Sequence, residues 1–320
     1  MIPRTWEGAH LACWVSIQSG SARILCSFFI EVNWPEPLRL SMKIATWNVN
    51  SIRIRLPRLL SWLERTQPDV ACLQETKVTD DIFPTAELEA LGYRCTISGQ
   101  KTYNGVAVLS KIQCVDATLG LPNDGPDADR RLISANIGGI RVIDVYAPNG
   151  QAVGSEKYVY KLDWYKRLRA YLDASFSPDI DLLICGDFNV APEDRDVWDP
   201  KKWRGQTLFS EPEKEALQNL MAWGLTDALR IHNQEPGLYT WWDYRAGAFH
   251  RGWGLRIDHM LVSKSLAARC KSVEIERNER KGEKPSDHAP VVAFFETSAE
   301  DAQTSCGPAE EGATPASTGN

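Results

Sequence analysis

The 320-residue chain reads as a four-layer α/β sandwich, two packed mixed β-sheets flanked by helices, and three features of its patterning lead there. Short apolar runs recur with the length and β-branched content of buried strands. Amphipathic stretches with helical spacing separate some of them. No Gly/Ser/Pro-rich linker interrupts the middle of the chain, so one domain is expected over residues 42–297. At 43% hydrophobic residues the chain can bury a substantial core. Composition alone does not choose this sandwich over other α/β arrangements.

The predicted strands are 44–47, 70–73, 106–109, 132–137, 142–146, 182–185, 257–262 and 290–295. Leu56, Leu59, Leu60 and Leu63 share one helical face, with Pro57 near the expected start and Pro68 after the end. Tyr158, Leu162, Tyr165, Leu168 and Leu172 repeat the pattern. Ser210-Glu211-Pro212-Glu213 is a capping box ahead of Leu217, Leu220 and Met221.

The termini differ from this body. Residues 1–41 hold two apolar bursts, 11–17 and 24–30, without a sustained strand or helix period. Glu7, Glu31 and Glu36 argue against a mitochondrial presequence, and a basic start followed by one apolar block is missing. Met42 is the expected start of the native chain, with 1–41 a non-native or disordered extension. Residues 298–320 read as a disordered acidic tail. The net charge of −6 would argue against a nucleic-acid partner. Four acids and no Lys or Arg fall in that tail, which leaves residues 42–297 close to neutral, so DNA contact would rest on local basic patches. Eight cysteines without a CxxC pair indicate a reducing, cytoplasmic compartment. No apolar run approaches the roughly 20 residues of a membrane span.

Four polar motifs adjoin the apolar runs: Leu73-Gln74-Glu75-Thr76-Lys77, Gly186-Asp187-Phe188-Asn189, Leu255-Arg256-Ile257-Asp258-His259 and Ser286-Asp287-His288-Ala289-Pro290. Such groups are costly beside apolar strands unless they bind something. Carboxylates, amides and one histidine suit a Mg²⁺ or Mn²⁺ ion and a phosphate being cleaved. Glu75, at a strand end, can hold a hydrated cation, or it can simply pair with Lys77. Asp187 and Asn189 alternate on one side of an extended backbone, as site residues or as an Asx turn. Asp beside His fixes a tautomer, yet sequence neighbours point apart, so Asp287 and His288 can bond different partners. Asn48 and Asn50, and Tyr146 with Asn149, add amides and a phenol that can donate to developing phosphate charge.

Together with Met42-Lys43-Ile44-Ala45-Thr46-Trp47-Asn48-Val49-Asn50 and Pro68-Asp69-Val70, these motifs resemble the exonuclease III family of abasic-site DNA endonucleases, in order over roughly residues 42 to 297. The resemblance implies Mg²⁺-dependent hydrolysis of DNA phosphodiesters in base-excision repair: incision 5′ to an abasic site, 3′-to-5′ exonuclease action on duplex DNA and 3′-phosphate removal. It implies Glu75 as principal metal ligand with Asn48 beside it, and extends the ligand set to Asp187, Asn189, Asp287 and His288. Tyr146, Asn189 and His288 would meet the scissile phosphate, and Asp187 would handle proton transfer. Asp258 would be a carboxylate at the same rim, and Asp287 the partner that holds His288. Trp241, Leu255 and Ile257 would line a pocket for a base-less sugar, in a stretch, 198–253, that carries six of the twelve Trp. Asn50, Lys77, Arg130 and Asn149 complete the expected substrate contacts. Arg130-Arg131, Lys201-Lys202 with Trp203-Arg204, and Lys281 with Lys284 are candidate backbone-phosphate contacts.

Partners follow from the resemblance: double-stranded DNA with abasic sites or 3′ ends, met by a monomer associated with the cytoplasmic nucleoid. Two other readings use the same residues. A phosphodiesterase acting on RNA or phospholipid head groups would hydrolyse those and leave DNA intact. A non-catalytic nucleic-acid-binding relative would have replaced at least one of Glu75, Asp187, Asn189 or His288, and all four are present.

Overall fold

A computed structural model describes the backbone of residues 14–18, 21–25 and 40–297, with side chains over 41–296. The chain divides into two compact units, Met1–Leu38 and Arg39–Asn320. In the first, β1 (Trp14–Gln18) and β2 (Ser21–Leu25) pair antiparallel. The rest of the predicted extension, and the tail at 298–320, lie outside the described residues.

The second unit begins with β3 (Leu40–Asn48), α1 (Ile52–Thr66), β4 (Val70–Gln74), α2 (Thr85–Glu89), β5 (Arg94–Ser98), β6 (Val106–Ser110) and β7 (Cys114–Leu119). Next come β8 (Leu132–Ile137), β9 (Ile140–Tyr146), α3 (Glu156–Ser175), β10 (Leu182–Asp187), α4 (Pro200–Trp203) and α5 (Glu211–Met221). The remainder is β11 (Leu225–Asp227), α6 (Ala228–His232), α7 (Ala248–Arg251), β12 (Asp258–Ser263), α8 (Lys264–Arg269), β13 (Cys270–Ile275) and β14 (Val291–Thr297).

Two six-stranded sheets result, ordered β13-β14-β3-β4-β6-β5 and β11-β12-β10-β9-β8-β7. Ile44, Cys72, Val108, Ile133, Val142, Cys185 and Met260 pack between them. The outer face of the first sheet is covered by Leu59, Trp62 and Leu63 of α1, and that of the second by Trp164, Tyr165 and Leu168 of α3 with Leu217 and Leu220 of α5. This is the expected four-layer sandwich. Helix α1 starts five residues before Pro57 rather than near it, at the cost of one helical hydrogen bond. Leu162 is half-buried, and the core-facing stripe of α3 runs instead through Tyr158, Lys161, Tyr165, Leu168 and Leu172.

One polar pair lies within the inter-sheet layer. Asp144 of β9 is fully buried, and its Oδ1 accepts from Gln74 Nε2 at 2.6 Å. Its Oδ2 and the Gln74 Oε1 have no partner. Burial pushes the Asp144 carboxyl well above its usual range, against the hydrogen bond from Gln74. An acid whose pKa is higher folded than unfolded keeps its proton in the fold, so stability is lost as pH rises above the unfolded value. The penalty grows by about 1.4 kcal/mol per pH unit until the folded pKa is reached. Asp144→Asn carries an amide that satisfies both Gln74 atoms without a proton. It is expected to raise the melting temperature, and by more at pH 8.5 than at pH 5.5. An equal or negative shift at the higher pH would refute the neutral-acid assignment.

The topology gathers strand ends at one rim. β3 and β4 run parallel, joined through α1, and so do β9 and β10, joined through α3. Their C-terminal ends therefore share one edge of the sandwich. β12 pairs antiparallel to β10 and β14 antiparallel to β3, which puts the N-terminal ends of both at that edge. Gly186 lets the two strands of the second sheet approach there: at φ 140°, a Cβ on it would lie 1.9 Å from the Val145 carbonyl oxygen.

Candidate active site

The four motifs are those strand ends. Asn48 ends β3, Glu75 follows β4, Tyr146 ends β9 and Asp187 ends β10, while Asp258 opens β12 and His288 precedes β14. Asp187 is in register with Tyr146 on one side and Asp258 on the other. The backbone is strained where it leaves the strands: Asn50, Glu75, Lys77 and Asn189 have φ values of 44°, 53°, 57° and 52°. Non-glycine residues in this region cost of order 1 kcal/mol or more each and persist only where their surroundings fix them.

Ligand atoms of Glu75, Asp187 and His288 lie within 4.8 Å of one another. The Asn48 amide nitrogen donates to Glu75 Oε1 and to Asp187 Oδ2, both at 2.9 Å. Burial, then Asp258 and Glu75, push the Asp187 carboxyl up to about 7, with His288 and Asn48 opposing. Glu75 and Asp187 bring two carboxylates together at this rim, hard oxygen donors that fit a divalent cation. The wider expected ligand set does not assemble. Asn48 presents its NH₂ group to the carboxylates and spends its oxygen on the Asn50 N–H at 3.0 Å. Asn189 is occupied by Asn149 and Ala147, at 3.0 Å each. Lys77 pairs with Glu75 Oε2 at 2.6 Å and donates to Asn50 Oδ1 at 2.6 Å, so it neutralises the rim carboxylate instead of facing open substrate space.

Asp258, not Asp287, holds His288. The His288 Nδ1 lies 2.9 and 3.1 Å from the two Asp258 oxygens, and Nε2 lies 3.8 Å from Asp187 Oδ2. Asp287 accepts from Asn50 Nδ2 at 2.9 Å and from Trp241 Nε1 at 3.0 Å. Neighbours on extended backbone project to opposite sides, and the histidine meets whatever the adjoining sheet presents. Asp287 also stands outside the cluster of candidate ligands. Burial works against a charged His288, but Asp258 and Asp187 outweigh it and raise its pKa to about 10. A cationic imidazole can donate to a phosphate oxygen.

Tyr146 stays a neutral phenol, held well above its usual range by burial and then by Glu75 and Asp187. Its ring carries the Arg131 guanidinium at 4.8 Å, and Arg131 Nη1 donates to the Tyr146 carbonyl at 3.3 Å. Arg131, not Arg130, thus meets Tyr146, while Arg130 Nη2 donates to the Pro126 carbonyl at 3.3 Å. Asn149 does reach the site, since its Nδ2 donates to Asn189 Oδ1.

Beside these groups lies an apolar cluster. Ala191, Val197, Leu208, Phe209, Leu255 and Ile257 are buried together, with Trp198, Trp203 and Trp241 against them. Isolated bridges join Val197 to Leu255, Leu255 to Trp241 and Trp241 to His288. The expected pocket residues Trp241, Leu255 and Ile257 are therefore close to the histidine. Trp223 packs in the core under α3 and α5.

Sequence reasoning missed three supports. Arg55 donates from α1 to the Asn50 carbonyl at 2.7 Å and to Tyr244 Oη at 2.7 Å. Buried Arg256 joins Asp196 and Asp227, each at 2.6 Å, two carboxylates far from it in sequence. Lys161 is fully buried; a lysine in the core-facing stripe of a helix was the available signal.

The sequence profile described as the Endonuclease/Exonuclease/phosphatase family matches residues 45–288. The chain is 39% identical over 266 residues to the exodeoxyribonuclease III of Haemophilus influenzae, covering 79% of this chain and 100% of that protein. Its fold matches a 3′ phosphatase from Neisseria solved with a product DNA hairpin, at TM-score 0.77 and 45% identity over 80% of this chain and 100% of the other. An AP endonuclease from Archaeoglobus fulgidus matches at TM-score 0.77 and 43% identity, with 80% and 100% coverage.

Proposed function

Because the chain belongs to the endonuclease/exonuclease/phosphatase family over residues 45–288, we propose that it is a metal-dependent DNA phosphodiesterase of base-excision repair. The activities are incision 5′ to abasic sites, 3′-to-5′ exonuclease action on duplex DNA and removal of 3′-phosphates. The observation that carries this reading is the rim where Glu75, Asp187 and His288 converge, with Asp258 behind the histidine and a buried apolar cluster alongside. The names of the relatives, an exodeoxyribonuclease III, a 3′ phosphatase and an AP endonuclease, support the same chemistry. Mg²⁺, with Mn²⁺ as substitute, is the cation that all-oxygen donors favour.

Glu75 and Asp187 would hold the ion, which when bound supplies Lewis-acid neutralisation of phosphate charge. His288 and Tyr146 donate hydrogen bonds to the phosphate, where negative charge grows during cleavage. Asn149 supports Asn189 as a further amide donor. Asp187 exchanges a proton with the attacking water or the leaving oxygen, and its buried position suits either role. Trp241, Leu255 and Ile257 offer an apolar recess to a sugar without its base. Such a nucleotide leaves the stack at lower cost than an intact one. Among the described residues no helix is long and apolar enough to cross a membrane. A monomer suffices for this site, as every group named comes from one chain.

The test is incubation of the full chain with a duplex bearing one abasic analogue, in Mg²⁺ and in EDTA. Cutting immediately 5′ to the analogue, reduced to background by EDTA and restored by excess Mg²⁺, is expected. A folded chain that leaves this duplex and a 3′-phosphorylated duplex intact in Mg²⁺ would overturn the assignment.

A further inference from the structure

Lys161 and Glu213 form an ion pair in which neither side chain is exposed. Taking an ammonium and a carboxylate out of water costs several kcal/mol per ion, and the pair persists only with nearly complete hydrogen bonding. That condition is met. Lys161 Nζ donates to Glu213 Oε1, to the Asn189 carbonyl at 2.7 Å and to the Asn149 carbonyl at 3.2 Å, which uses its three protons. Glu213 is the third residue of the α5 capping box. It accepts from the Leu208 and Ser210 N–H groups at 3.0 and 3.1 Å and from the Ser210 hydroxyl. Tyr158, on the first turn of α3, meets that hydroxyl at 2.6 Å.

The carbonyls gripped by Lys161 belong to the two amide residues beside Asp187. Asn189 sits at φ 52°, and its amide nitrogen donates to Asp187 Oδ1 at 2.9 Å. Glu213 acts on the other side. The Leu208 N–H bonded to Glu213 belongs to a residue whose carbonyl accepts from Ala191 at 2.8 Å, and Leu208 and Ala191 both belong to the apolar cluster with Leu255 and Ile257. One ion pair therefore spans from Asn149 and Asn189 to the buried apolar cluster that holds Leu255 and Ile257.

The geometry assigns to Lys161 the role of a positioning residue: paired with Glu213, it fixes Asn149 and Asn189 relative to Asp187 and to the apolar recess. This rests on the phosphodiesterase reading above. Lys161 touches neither phosphate nor water in this role; it acts through the backbone of the two asparagines. A merely structural ion pair would be replaceable by any neutral pair that restores stability. A positioning lysine is not, because the two carbonyls lose their donor.

The experiment compares the full chain with Lys161→Met, the double variant Lys161→Met/Glu213→Gln, Lys161→Arg and Glu213→Gln, reading melting temperature, kcat and KM on the abasic duplex in Mg²⁺. Lys161→Met is expected to melt lower, since it strands a buried carboxylate. The double variant should recover most of the melting temperature and still show kcat reduced by about 10- to 100-fold with KM within about threefold, the range seen when a supporting group is removed from a site. Lys161→Arg keeps the charge, but its planar fork cannot serve three tetrahedrally placed acceptors. It should melt near wild type with reduced kcat. If the double variant does not fold, Lys161→Arg and Glu213→Gln decide. Reduced kcat at native melting temperature supports the role, and wild-type kcat in both overturns it. A double variant with recovered stability and wild-type kcat also overturns it. A folded wild-type chain that cuts nothing refutes the phosphodiesterase reading and this inference together, whereas a cutting wild type with equally active variants refutes this inference alone.

Discussion

Asp187→Asn is expected to lower kcat for incision of an abasic duplex by about 10²- to 10⁴-fold, the range for loss of a positioned acid or base. The substitution keeps volume and one oxygen, so one of the two donors that bond Asp187, the Asn48 amide at Oδ2 or the Asn189 N–H at Oδ1, keeps its acceptor. What disappears is the capacity to exchange a proton, one of the two carboxylates that would hold the cation, and one negative charge facing His288 Nε2 at 3.8 Å. Burial with Asp258 and Glu75 holds the wild-type carboxyl up to about 7 before any cation is bound. KM should change much less than kcat, since the recess and the phosphate donors stay in place. Single-turnover incision, alongside circular dichroism to confirm folding, makes the measurement. A rate within tenfold of wild type would remove Asp187 from the proton-transfer step.

Asp258→Asn should reduce kcat by about 10²-fold, while Asp287→Asn costs no more than about tenfold. The two neighbours of His288 differ in what they do for it. Asp258 offers both oxygens to Nδ1 and, with Asp187, offsets the burial that disfavours the imidazolium. Without that carboxylate the buried ring loses both its orientation and much of the force that keeps it cationic, so the phosphate loses a charged donor. Asp287 instead anchors Asn50 through Oδ1 and Trp241 through Oδ2, neither of which touches the His288 ring, and an asparagine keeps one of these two acceptors. Titration of the His288 ring by NMR reads the cause directly. Its pKa should fall from about 10 in Asp258→Asn and stay high in Asp287→Asn. The reverse order of effects, in rate and in titration, would return the partner role to Asp287.

The eight predicted strands are all present, and the four missed in the sandwich, β5, β7, β11 and β13, are its four sheet edges. An interior strand has neighbours on both sides and helices or a second sheet on both faces, so apolar residues run almost unbroken along it, as in β4, where Val70–Leu73 are apolar and all five residues to Gln74 are buried. An edge strand such as Cys114–Leu119 is mostly exposed, and its composition does not differ from a loop.

The site divides the same way. The sequence by itself determined the chemistry on offer, because Glu75, Asp187, Asn189, Asp258 and His288 stand beside apolar strands where such groups are too costly to keep without a task. It also determined the strands that carry them. Which carboxylate meets the histidine, which of Arg130 and Arg131 turns to Tyr146, and that Lys77 is committed to Glu75 were decided only by tertiary structure. So was the role of Lys161, whose acceptors lie 12, 28 and 52 residues away along the chain. The physical reason is range. Burial cost is a property of each residue beside its own strand, whereas a hydrogen bond or ion pair acts over about 3 Å between groups that only the packing of two sheets brings together.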